Sequence, residues 1–149
     1  MLYFREPFKD LIDELYPLIQ AHHYEIDWMP EKIKLDVNRK EYMMMEDQGM
    51  LICFTARLGS KLCGYASFFL HNHPHYQTTK YGVNDAFYVR PENRGGIGRA
   101  LMKYCEEELI ALGCQVITYN IKKSLDWSSL AVSEGYEDTE TLYQKWVGG

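Results

Sequence analysis

The sequence predicts a mixed α/β (α+β) fold, a mostly antiparallel twisted sheet flanked by helices. Three observations predict it. Apolar residues recur at helical spacing near the N-terminus, two apolar runs flank a glycine turn as a hairpin would, and a later strand runs through glycines straight into a helix. The chain has 149 residues, 46% apolar and 25% charged, which suits one domain around one core. It has no internal repeat, low-complexity tract or linker, so residues 1–149 are expected to form a single domain.

Each element has its own signal. Pro7 suits the first turn of a helix, and Phe8, Leu11, Ile12, Leu15, Leu18 and Ile19 follow on one face. Pro17 should kink or shorten that helix. A second helix is expected from about Glu31 to Asp47, with Gly49 as its stop. Leu51 to Leu58 reads as a strand, Gly59-Ser60-Lys61 as a tight turn, and Leu62 to Leu70 as the antiparallel partner. A polar loop from His71 to Gly82 precedes a short strand, Asn84 to Val89. A helix then starts at Ile97 or Gly98 and runs to Leu112, with Leu101, Tyr104, Cys105 and Leu109 on one face and Gly113 closing it. Gln115 to Ile121 is expected as a strand, Leu125 to Glu134 as a short helix stopped by Gly135, and Leu142 to Val147 as a closing strand.

Composition narrows the function. The net charge is −5, from 16 basic and 21 acidic side chains, which argues against a nucleic-acid surface and is compatible with a cationic partner. The N-terminus turns polar at Arg5-Glu6, too early for a secretory signal, and no apolar run approaches the ~20 residues that span a bilayer. Cys53, Cys63, Cys105 and Cys114 lack a C-x-x-C spacing and sit in apolar stretches, so buried free thiols and a cytoplasmic location are expected.

The most informative segment is Asn84-Asp85-Ala86-Phe87-Tyr88-Val89-Arg90-Pro91-Glu92-Asn93-Arg94-Gly95-Gly96-Ile97-Gly98-Arg99. A strand enters a turn with three glycines that opens into a helix. Glycines let successive backbone N–H groups share one concavity, and the helix start adds its own free N–H groups and positive dipole end. The result suits a pyrophosphate. No Gly-Lys-Ser/Thr follows, so the phosphate loop of nucleotide hydrolases is absent, and the segment is not an early G-x-G-x-x-G unit of a dinucleotide fold.

On these residues the chain resembles the GNAT superfamily of N-acetyltransferases. That family's signature, Q/R-x-x-G-x-G/A after a strand ending in a Val-x-Pro-like step, is matched by Val89-Arg90-Pro91, then Arg94 to Gly98, then Arg99-Ala100-Leu101-Met102. Glu134-Gly135-Tyr136 matches the glycine–aromatic step before the family's last strands. The loop is one residue shorter than usual: aligned on Gly96 and Gly98, the family's Arg/Gln falls on Asn93; aligned on Arg94, Ile97 and Arg99 replace later small residues. The family's pantetheine-contacting Asn falls on Ser124 and its general-acid tyrosine on Ala131.

The resemblance implies acetyl-CoA as co-substrate, no metal, and direct attack of a primary amine on the thioester. Phe87, Val89, Arg94, Gly95, Gly96, Ile97, Gly98, Arg99 and Ser124 are the expected cofactor-binding residues, with an N–H near Phe87 to Val89 facing the developing oxyanion. Asp85 is the candidate base, since an acid inside an apolar strand must reach solvent or a partner; the other reading is an Asp at the strand's exposed start. Tyr88 is the second catalytic candidate, as donor or substrate wall, or else a core tyrosine. Tyr119 and Asn120 are further candidates for the same cleft. His71, His73 and His75 read as solvated loop histidines rather than zinc ligands. Tyr24, Trp28, Tyr42 and Met43-Met44-Met45 divide between core and acceptor pocket. A homodimer is compatible with the exposed strands expected at the sheet edges. The competing reading is a catalytically silent acyl-CoA-binding module that acts through a protein partner.

Overall fold

A computed structural model describes all 149 residues. Five strands form one sheet in the order β1-β2-β3-β4-β5: β1 (Leu2–Arg5), β2 (Leu51–Leu58), β3 (Lys61–Asn72), β4 (Lys80–Val89) and β5 (Val116–Thr118). The first three junctions are antiparallel and β4–β5 is parallel. Helices α1 (Phe8–Ile26) and α2 (Arg39–Asp47) cover one face; α3 (Ile97–Ala111) covers the other, and α4 (Ser128–Ser133) follows β5. The sheet therefore separates two apolar clusters. Phe8, Leu11, Leu15 and Leu18 of α1 meet Cys53, Tyr65 and Tyr88 on one side, while Leu101, Cys105 and Leu109 of α3 meet Phe54, Phe68 and Val89 on the other. All four cysteines are buried and free. No helix is long and apolar enough to cross a membrane.

The mixed sheet flanked by helices is the predicted class, but several element bounds differ. Leu2–Arg5 pairs with Phe54 to Arg57 as an edge strand too short to show a periodicity. Helix α1 runs through Pro17 to Ile26 without interruption. Proline removes one donor, so the Asp13 carbonyl loses its partner, and both residues lie on the exposed face where water replaces it. Helix α2 begins at Arg39, not Glu31, because the Asn38 side chain caps it by accepting from the Glu41 N–H at 3.0 Å.

The expected His71–Gly82 loop is mostly strand: His71 pairs with Tyr81 and Asn72 with Lys80, so β4 starts before Asn84. The expected Gln115–Ile121 strand is confined to Val116–Thr118, and the Leu125–Glu134 helix to Ser128–Ser133 after a 3₁₀ turn at Lys123–Leu125. The Leu142–Val147 strand does not form. Leu142, Tyr143 and Val147 are 73%, 89% and 85% exposed, so no packing pins that stretch to the sheet.

Two irregularities of β4 open the sheet and redirect a side chain. Pairing with β5 ends at Val83↔Thr118, so the β5-facing edge of β4 from Asn84 to Val89 carries no ladder. On the β3 side, Ser67 pairs with Ala86 and Phe68 with Asn84, which leaves Asp85 as the extra residue of a β-bulge.

Candidate active site

The bulge decides where Asp85 goes. By strict alternation it would share a face with Phe87 and Val89, which pack toward α3. One extra residue turns it to the α1–α2 face instead, beside Ala86. The Asn84 side chain ties the bulge by donating to the Ser67 carbonyl at 3.1 Å and the Ala86 carbonyl at 2.9 Å.

On that face Asp85 is partly buried, and one carboxylate oxygen accepts hydroxyl hydrogen bonds from Tyr42 and Ser67, both at 2.9 Å. Burial pushes the Asp85 carboxyl above the usual aspartate range, with the two hydroxyl donors and the Lys122 charge opposing. Asp85 opens onto a cavity of about 170 Å³ between α1, the segment leading into α2, and the sheet. Its walls include Phe8, Leu15, Ile19, Val37 and Tyr42, with His22, Asp27 and Lys122 also on the lining. The reading of Asp85 as an exposed strand-start residue is therefore set aside: it lies inside β4 and faces an internal space.

Beside the cavity a second polar group is built on α1. His22 shares a 2.6 Å hydrogen bond with the Tyr65 hydroxyl and stacks on Tyr88 at 4.9 Å. Burial lowers the His22 pKa to about 4, although Asp27, 3.9 Å from Nε2, pulls the other way. Asp27 itself is held by His23 at 2.8 Å and Lys122 at 3.4 Å. The Tyr88 hydroxyl donates to Glu25 at 2.8 Å, and burial with that carboxylate pushes its pKa up to about 12.

At the end of β4 the chain passes a 3₁₀ turn, Pro91–Asn93, and reaches Gly95 and Gly96 at φ values of 113° and 115°. Only glycine adopts these without strain. Gly96 caps α3. The N–H groups of Gly95, Gly96, Ile97, Gly98 and Arg99 donate to no protein acceptor. A Cβ at Gly98 would meet nothing within 4 Å, and its φ is ordinary, so the fold itself does not require glycine there. Free N–H groups at a helix start with an open surface above them suit an anion. Neither arginine of the turn extends freely: Arg94 donates to the Val89 carbonyl at 2.9 Å and pairs with Glu25 at 2.8 Å, while Arg99 pairs with Glu134.

The other predicted residues are spread around this frame. The Ser124 hydroxyl donates to the Ile26 carbonyl at 2.5 Å, joining the segment after β5 to the end of α1. Phe87 packs on Trp127 and Tyr119, on the α3 side. The Tyr119 hydroxyl is buried there without a partner, so Tyr119 does not share the face of Asp85. Among the N-terminal aromatics, Tyr42 reaches the cavity and Tyr24 is 75% exposed. His71 stacks on Tyr81, and His73 and His75 pack with Tyr76 on the loop. Sequence reasoning missed His22, Tyr65, Ser67 and Lys122, which come together only in the fold. The one available signal was Asn84-Asp85, two polar residues in succession where alternation calls for one.

Solved structures share this architecture. A predicted acetyltransferase from Clostridium acetobutylicum, solved with acetyl-CoA, superposes with a TM-score of 0.71 at 16% identity, covering 98% of this chain and 96% of the other. An aminoglycoside acetyltransferase from an uncultured soil metagenomic sample, solved with sisomicin, gives 0.74 at 16% identity over 99% and 95%. Ribosomal-protein-alanine N-acetyltransferase from Brucella melitensis biovar Abortus 2308 gives 0.68 at 15% identity over 98% and 100%. No curated protein sequence matches the chain. The model of the acetyltransferase (GNAT) family matches residues 8–135, most of the chain, and the chain belongs to that family of acyltransferases.

Proposed function

We propose that the protein transfers the acetyl group of acetyl-CoA to a primary amine by direct attack, with both substrates bound together. The observation that carries this reading is one strand: β4 holds a partly buried carboxylate at its bulge and then delivers the chain into the free N–H groups of the glycine turn.

The residues divide the work. The N–H groups from Gly95 to Arg99 hold the pyrophosphate of acetyl-CoA, whose thioester supplies the activated acetyl group. The unpaired edge of β4 between Phe87 and Val89 lines the path to Asp85, and Ser124 keeps the opposite wall in place through Ile26. An alkylamine has a pKa near ~10.4 in water and must lose a proton before it attacks. Asp85 accepts it. Burial narrows the gap between the two groups from both sides, since it raises a carboxyl pKa and lowers an ammonium pKa. Tyr42 and Ser67 orient the carboxylate by their hydroxyl donors. Tyr88 forms a wall between His22 and the guanidinium of Arg94, which lies 5.4 Å above its ring.

The test is thiol release from acetyl-CoA with a panel of primary amines. Amine-dependent release is expected. Binding of acetyl-CoA without release for any amine would establish the silent acyl-CoA-binding module instead.

A further inference from the structure

The cavity beside Asp85 has a size, a wall chemistry and a charge count, and together they select among amines. Resting on the acetyl-transfer reading, we propose that the acceptor is a compact primary amine bearing a single positive charge on a benzene-sized apolar body, with its nitrogen at Asp85.

Size is the first constraint. At about 170 Å³ the cavity matches the ~150 Å³ apolar cavities that accept a benzene-sized guest. A short aryl or alkyl body fills it, whereas only one ring of a multi-ring sugar enters it and the rest is left outside. Wall chemistry is the second. Phe8, Leu15, Ile19 and Val37 offer no hydrogen bonds from their side chains, so hydroxyls or extra ammonium groups placed against them would be desolvated without partners.

Charge is the third constraint and the most selective. Two carboxylates line the cavity, Asp27 and Asp85. Asp27 is already paired with the Lys122 ammonium and hydrogen-bonded to His23. Asp85 has only the hydroxyls of Tyr42 and Ser67 and no cation at ion-pair distance. Glu25, nearby on α1, is taken by Arg94 and Tyr88. The site therefore has room for one positive charge. Polyamines and aminoglycosides carry several, and each additional ammonium would enter the cavity uncompensated.

Steady-state kinetics with acetyl-CoA and 2-phenylethylamine, hexylamine, spermidine, kanamycin and an alanine-led tetrapeptide test the inference. The first two are expected to exceed the others in kcat/KM by at least about tenfold, the scale on which pocket fit discriminates. Narrowing the cavity with Val37→Phe should lower kcat/KM for 2-phenylethylamine more than for ethylamine, while the melting-temperature shift with acetyl-CoA is retained; if that variant does not fold, Leu35→Phe, at another residue of the same lining, makes the same test. Equal or greater turnover of spermidine, kanamycin or the peptide would overturn this acceptor class and leave acetyl transfer standing. Thiol release with none of the amines would overturn both.

Discussion

Among single residues, Asp85 and the groups around it carry the proposed chemistry. Asp85→Asn keeps the size and both hydroxyl contacts but removes the proton acceptor, so kcat should fall by the ~10²–10⁴ typical of general acid–base work. The deficit should shrink as pH approaches the amine's own pKa, and the acetyl-CoA-induced melting shift should persist; a mutant with full kcat at neutral pH would remove Asp85 from the mechanism. His22 supplies a separate pH signature. Its pKa is lowered from 6.5 to about 4 on folding, so between those values the unfolded chain binds the extra proton and stability rises with pH. The contribution is complete above 6.5 and lost as pH falls toward 4. Asp85, with its raised pKa, acts in the opposite sense just above 3.8, where its neutral form favours the fold. Urea unfolding of wild type and His22→Gln at about pH 4.5 and 6.5 should show a flatter dependence in the mutant; parallel slopes would contradict the burial of a neutral imidazole. Asp85 was legible in the sequence because an acid in an apolar strand needs a reason. Its partners were not, since Tyr42 and Ser67 come from two different elements and meet the carboxylate only after the bulge redirects the strand.

Among the elements, the turn into α3 was the most legible, because left-handed glycines followed by helical periodicity leave little choice of backbone. The start of α2 was not, since the segment from Trp28 to Asn38 contains enough good helix formers to extend a pattern that the Asn38 cap in fact begins. The same helix contributes something no local pattern shows: Glu46 accepts from the Phe8 N–H at 2.6 Å, capping α1 from outside, where Pro7 offers no side-chain acceptor. Glu46→Ala should cost about 1 kcal/mol, the usual value of a lost cap, and loosen the α1–α2 side of the cavity. Pro17→Ala should do the reverse. It restores a donor in the middle of a continuous helix, and urea unfolding should report a gain of about 1–3 kcal/mol; a loss would mean that the proline fits a bend the helix needs.

For the molecule as a whole, the class of fold followed from how helices and strands alternate, whereas strand lengths did not. Strands β3 and β4 extend into polar sequence because their backbones pair beyond the apolar core, and the Leu142–Val147 stretch has strand composition but no partner. Where β4 and β5 part after Val83, the sheet opens beside the glycine turn, and α1 closes the other face over Asp85. One strand thus sets the proposed anion site and a carboxylate at two points along its length, and Gly98 offers the cleanest probe of that pairing. At this position φ is ordinary and the space is open, so Gly98→Glu should fold normally while setting a carboxylate among the free N–H groups proposed to hold phosphate. Thermal unfolding should therefore show wild type gaining about 5–10 °C with acetyl-CoA at about a hundred times Kd, and Gly98→Glu, at an unchanged starting Tm, gaining almost nothing. An equal gain in both proteins would contradict the proposed site by placing the cofactor elsewhere.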